Sequence, residues 1–464
     1  MRMKIFISTI LFIVGNILYG QNNLPVLKTN KQKISYYVGN VHYNDGWNIS
    51  PELNPDILNI TIKRKTPVAF VSECDSLMFI VKPGETVNFI VLQNGAIKAN
   101  TQIKAERDRN VKKAKFTKEY KKANNGKTFV EIPEVYELFQ IILALTPTGK
   151  DGHSIVQKGT EYYQAVINHF DKYKDEKIIS IIDSLIAPPN LIFHCELKLD
   201  AYSFEFNNKG KIVQSKIYNI TSRENINTLK PYINLIQDFA DKTNFRQFYN
   251  ENKLLYQNQI SFYKDSVDVD GMHNWLSKNF PGTDINAMKI IFSPLVNGWQ
   301  NANTITNNGF TEVFAHVNFP YYNSKKYSPE SNVLIKGTAI FTEFNHNYVG
   351  FVGEKFNFYN KFASVLGNLS KWIDIKKAEN YNNPGSCFDE YMSWGLVSLW
   401  FLDKANQSEA NTLIAENEDY MANGRGFIKF KEFDTYLIDL YKNKLPNETV
   451  TDLYPKIIKW FENN

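Results

Sequence analysis

FTEFNHNYV, residues Phe341 to Val349, is the stretch that decides how this 464-residue chain is read. On a helix, Thr342 and His346 are i, i+4 neighbours and Glu343 and His346 are i, i+3, so Glu343 and His346 converge on one point outside the helix. Such convergence suits metal-assisted hydrolysis. A catalytic zinc takes three protein ligands and a water, and a nearby carboxylate removes the water's proton. Glu343 has the chemistry of that base, and His346 that of one ligand. Thr342 stands where a second imidazole would complete the face, and threonine is a poor neutral ligand beside imidazole. An E-x-x-H spacing alone arises by chance about once in a chain of this size, so the surroundings decide what it means.

Upstream, AMKIIFSPL (287–295) and FTEVFAHVNF (310–319) read as strands, the second alternating well enough to face solvent on one side. A Pro/Ser/Lys loop follows, giving the order strand, strand, helix. Its aromatic-rich part, FPYYNSKKY (319–327), is a candidate groove lining for peptide or glycan. Downstream, FDEYMSWGLVSLWFLD, FIKFKEFDTYLIDLYKN and TDLYPKIIKWFEN read as three more helices, and PEVYELFQIILALT opens an earlier one with Pro133 suited to its first turn. Near the N-terminus, VAFVSECDSLMFIVKPGETVNFIVLQNG is strand and turn chemistry. The chain is therefore expected to be α+β: a small N-terminal antiparallel β domain (28–98), a basic linker or exposed helix (99–128), and a large, mainly helical domain (129–464).

The first twenty residues carry Arg2 and Lys4 and then an apolar run from Ile5 to Leu18, the pattern of a cleaved secretory signal peptide. The run is shorter than the roughly 20 apolar residues that span a bilayer, and no later run reaches that length. The expected location is therefore outside the cytoplasm: periplasm, cell surface or medium. Hydrophobic content of 43% and aromatic content of 14% place the chain among folded, core-rich proteins rather than disordered ones. Three cysteines, Cys74, Cys195 and Cys387, allow at most one disulfide, so the core must carry the fold. Ten Lys or Arg against three acids lie between Lys104 and Lys127, leaving the rest slightly acidic. No nucleic-acid fold signature accompanies this stripe, so no nucleic-acid partner is expected.

Other chemistries fit less well. A di-iron carboxylate site needs E-x-x-H twice, and only one copy occurs; Glu312 and His316 are one residue too far apart. In FHCE (193–196), adjacent His194 and Cys195 would point in different directions on a strand, and a free cysteine in a core is the commoner case. TGKDGHS (148–154) and NGWQN (297–301) are loop compositions without the spacing of a phosphate loop.

With its strand pair, TEFNH helix and downstream acid, the chain resembles the zincin metallopeptidases, of the gluzincin type whose third ligand is a glutamate on a later helix. The resemblance implies a zincin-like fold for the helical domain, with Zn²⁺ held by His346 and Glu390 in FDEYMSW, Glu343 as general base, and Asp389 as the fallback ligand. His316, His194, His273 or His169 would have to supply the imidazole that Thr342 does not. The chain is also similar to an uncharacterised family of secreted bacterial proteins sharing this helix and PEVYELFQIILALT-like segments, which implies no activity. Two functions follow as expectations: an exported metallopeptidase-like hydrolase of peptides or proteins, active or degenerate, or a non-catalytic exported binding protein for peptide, glycan or a protein partner.

Overall fold

A computed structural model describes residues 24–464 except 40, 52, 63–64, 108–112, 152–153, 222–225, 356–364 and 367. The expected signal peptide (1–20) lies outside the described residues. The fold is α+β, and the chain divides into two compact units, Met1–Asn110 and Val111–Asn464. Among the described residues, no helix is long and apolar enough to cross a membrane.

Among the described residues, the first unit holds eight strands: β1 (Val26–Lys28), β2 (Lys33–Val38), β3 (Val41–Asn48), β4 (Asp56–Ile62), β5 (Thr66–Val71), β6 (Ser76–Val81), β7 (Thr86–Gln93) and β8 (Ala96–Arg107). They form two four-stranded sheets, β1-β7-β8-β4 and β3-β2-β5-β6. Alternation turns Val68 and Phe70 of β5, and Phe89 and Val91 of β7, into one shared core. There the Trp47 and Phe70 rings lie 5.3 Å apart and Phe70 and Phe89 5.0 Å apart. The β7–β8 hairpin closes on Asn94-Gly95, both left-handed (φ 51° and 78°), the backbone a tight two-residue hairpin demands.

Two expectations need correction here. The unit is not wholly antiparallel, because β1–β7 and β4–β8 pair in parallel. Nor does it stop at 98. β8 continues to Arg107 because Ala99, Thr101, Ile103 and Ala105 alternate into the core, while Lys104 projects to solvent. The basic stripe is therefore partly the outer face of a strand. The remainder of 99–128 includes a short helix, Lys118–Asn124, with no buried residue, and the start of β9 (Lys127–Glu131) in the second unit.

After a two-stranded antiparallel pair, β10 (Phe204–Phe206) with β11 (Ile212–Gln214), the second unit adds β12 (Ala287–Ser293), β13 (Asn301–Asn307) and β14 (Phe310–Asn318), which with β9 form a sheet of order β13-β14-β12-β9. β12 pairs in parallel with both β9 and β14, and β13 is an antiparallel edge. Every residue of β12 is buried, as a strand covered on both faces must be. β14 does not face solvent on one side as its alternation predicts. Val313, Ala315 and Val317 enter the main helical core, while Phe314 enters a second cluster with Tyr202 and Tyr218. His194 and Cys195 lie on a helix, Phe193–Ala201, rather than on a strand.

The helix Glu134–Leu145 buries almost every residue, including Glu137, whose carboxyl accepts from the Tyr162 hydroxyl at 2.6 Å. Burial pushes this carboxyl up to about 7. An unfolded glutamate titrates near ~4.3, so the folded state keeps its proton longer. The associated stability is complete below the unfolded value and is lost as pH rises through about 7. Glu137→Gln should remove that dependence: its urea stability should exceed the parent's by about 3 kcal/mol at mildly alkaline pH and match it in acid. Equal differences at both pH values would show that Glu137 does not titrate with folding.

Candidate functional site

FTEFNHNYV lies within one long helix, Pro329–Lys355. Its apolar side, with Phe341, Phe344, Tyr348 and Val349, enters the main core, where Phe341 stacks on Trp400 at 5.1 Å. Asn345, fully buried, ties this motif helix to the helix Pro384–Lys404: its amide donates to the Ser393 carbonyl at 2.9 Å, and the Ser393 hydroxyl donates back to it. On the sheet side, the Thr304 hydroxyl of β13 donates to Asn347 at 2.5 Å. With core, helix and sheet on those sides, Thr342, Glu343 and His346 face a cavity of about 680 Å³.

Pro384–Lys404 starts on Asn383, which accepts from the Ser386 amide at 2.9 Å, with Pro384 in the first turn. It delivers Glu390 to the same cavity. His346 Nε2 lies 3.6 Å from Glu390 Oε2, with the Glu390 side chain only 4% exposed. Glu390 Oε1 accepts from Trp394 Nε1 at 2.9 Å and from the Arg425 guanidinium.

Arg425 has no local sequence signal. It follows a short π-helical turn, Tyr420–Gly424, and precedes Gly426 (φ 81°), where a Cβ would lie 2.8 Å from Lys377 Cβ. Its guanidinium donates to the Tyr381 hydroxyl at 2.7 Å and lies over the rings of Tyr381 (5.0 Å), Trp394 (5.2 Å) and Phe427 (5.5 Å). Cation–π contact and the carboxylate together fix this charge in place.

Burial, with Glu390 adding to it, pushes the Glu343 carboxyl up to about 8, although Lys198 and Arg425 pull the other way. Glu343 therefore holds its proton to higher pH than an ordinary glutamate does. Burial lowers the His346 imidazole, opposed by Glu390, so the ring is neutral.

The sequence-predicted residues Glu343, His346 and Glu390 thus line one cavity, while Asp389 is not in its lining. The four histidines expected as further ligands are engaged elsewhere. His316 faces the Tyr136 hydroxyl at 3.3 Å, His273 faces Thr128, His169 bonds the Thr243 carbonyl, and His194 bonds the Leu191 carbonyl. Thr342 donates its hydroxyl back to the Ala339 carbonyl at 3.0 Å. Among the described residues, no group of three His, Cys, Asp or Glu is placed to hold a metal. The residues present do not fit a catalytic zinc: the donor set is one imidazole and one carboxylate, and that carboxylate already carries a fixed cation. All three cysteines are free.

Pro320 and Tyr322, from the aromatic-rich loop, line the cavity, as do Trp299 and Gln300 from NGWQN. Periodicity could not single out these loop residues, because only the folded chain brings them to the motif helix. Comparison of the chain with protein-family models, curated proteins and solved structures returns no match.

Proposed function

We propose that this chain is a non-catalytic exported binding protein, whose cleft between the motif helix and the C-terminal helices holds peptide or glycan on a zincin-like scaffold that has exchanged its metal for an arginine. One observation carries this reading: the Arg425 guanidinium is bonded to Glu390, the carboxylate a metal would need. Its positive charge stands in for that of the ion, and the aromatic rings of Tyr381 and Trp394 help to hold it there. Cleavage of peptides would require Glu390 to be released by Arg425 and a further imidazole to join His346.

Metal content of the purified mature protein tests the reading directly. No stoichiometric zinc is expected, and chelator should leave the melting temperature unmoved. One zinc per chain that disappears in His346→Ala would replace this reading with that of an active metallopeptidase. Export rests on the N-terminal apolar run. N-terminal sequencing of protein recovered outside the cytoplasm should find a start near residue 21, and an intact Met1 there would refute cleavage.

A further inference from the structure

Trp299 is held in the left-handed region, φ 61°, which a bulky side chain adopts only under constraint. The constraint is visible beneath it. Its carbonyl accepts from the buried Lys198 ammonium at 3.0 Å and from the Cys195 thiol at 3.4 Å. Just before it, the Gly298 amide donates to the Ser154 carbonyl at 2.9 Å. The indole itself is met edge-on by the His194 ring, with centroids 5.5 Å apart and planes at 82°. Trp299 is nonetheless 37% exposed, and it lines the cavity. A large apolar ring is thus presented to the cavity by a left-handed backbone clamped from behind.

The wall around this ring is polar, and Arg425, Glu390 and Glu416 in it are met by opposite charges. Gln300 and Asn318, both in the cavity wall, bond each other at 2.6 Å. Arg425 is matched by Glu390, Glu416 by Lys326, and the Lys336 ammonium lies over the Phe262 ring at 5.2 Å. A flat aromatic face bordered by side-chain amides matches a ligand with one apolar face and a rim of hydroxyls.

We infer that Trp299 is the specificity-determining platform of the cleft and that it stacks on the carbon–hydrogen face of a pyranose ring in a neutral oligosaccharide. This rests on the binding-protein reading and narrows it to one ligand class. Gln300 and Asn318 bond the ring hydroxyls, and Lys198 positions the platform without touching the sugar.

The test uses the full mature chain with cellotetraose, xylotetraose, mannotetraose and chitotetraose at millimolar concentration. Ligand-observed NMR and tryptophan fluorescence are the readouts. At least one sugar should bind, with affinity falling about tenfold or more in Trp299→Gly and only in part in Trp299→Phe. Because glycine is at ease at positive φ, Trp299→Gly should melt within a few degrees of the parent, which a structural tryptophan would not allow. Lys198→Met should weaken sugar binding less than Trp299→Gly does and shift the tryptophan emission of the unliganded protein, because it releases the Trp299 carbonyl; unchanged binding and emission would show that Lys198 does not position the ring. Failure of all four sugars to bind, or equal binding by Trp299→Gly, overturns the inference. Random peptides that bind and are lost in Trp299→Gly would also overturn it, but would leave the binding reading standing. Stoichiometric zinc with peptide cleavage would remove both.

Discussion

A chain carrying both Thr342→His and Arg425→Met is expected to bind one zinc per molecule, where none is expected for the parent. The geometry is half built. His346 Nε2 and Glu390 Oε2 stand 3.6 Å apart, close to the ~3.3 Å that separates two donors each about 2 Å from a tetrahedral zinc. Position 342 is one turn before His346 on the same face and lines the same cavity, so a histidine there brings a third donor to that point. Replacing Arg425 withdraws the cation from Glu390, and methionine keeps hydrophobic bulk among the rings of Tyr381, Trp394 and Phe427. Competition against a chromophoric chelator should show zinc affinity rising by about a hundredfold or more over the parent. Each single variant should gain far less: Thr342→His keeps a guanidinium repelling the ion, and Arg425→Met keeps only two ligands. A folded double variant without zinc would show that something other than Arg425 and Thr342 keeps metal out.

What the sequence could and could not supply follows from the range of the interactions involved. Glu343 and His346 were legible because i, i+3 spacing on a helix is local geometry. Glu390 was legible because a carboxylate in FDEYMSW, amid apolar residues, needs a partner. The partner itself was not: Arg425 sits in a Gly-flanked turn whose composition says only loop, and its role exists only through Glu390 and the rings of Tyr381 and Trp394, contributed by distant segments, beside Phe427 of its own turn. For the same reason Trp299, in NGWQN, reads as an ordinary loop residue until Lys198 and Cys195 are seen on its carbonyl. In the first unit, local alternation found the strands, while the parallel pairing of β4 with β8 depends on contacts 45 residues apart, as in Asp56 with Thr101. The solvent face expected of β14 failed because the period-two pattern reports two different faces, not which of them water reaches.

Arg425→Met on its own is expected to destabilise the second unit more than any other single change to the cavity wall. Glu390 is 4% exposed and Arg425 17% exposed as side chains, so water screens the pair little. Removing one partner of such a pair leaves an uncompensated buried charge, a loss of about 3–5 kcal/mol. Here the loss should fall toward the lower end, since Trp394 Nε1 still donates to Glu390 at 2.9 Å and the neutral His346 lies beside it. Glu390→Gln should cost a comparable amount, by stranding the guanidinium against Tyr381 and Trp394. The variant with both changes should recover much of the loss, because neither charge remains to be desolvated, and the coupling energy from the four stabilities should exceed about 1 kcal/mol. Urea unfolding of the four proteins measures it. Additive losses would mean that Arg425 is held by its aromatic rings alone, and that Glu390 is available to a metal after all. Zinc added to Thr342→His/Arg425→Met should restore the stability that Arg425→Met loses, since an ion bound only to the folded state stabilises it by mass action. The arginine and the metal would then be alternative counter-ions to one carboxylate, and the cavity would owe its present chemistry to which of them Glu390 holds.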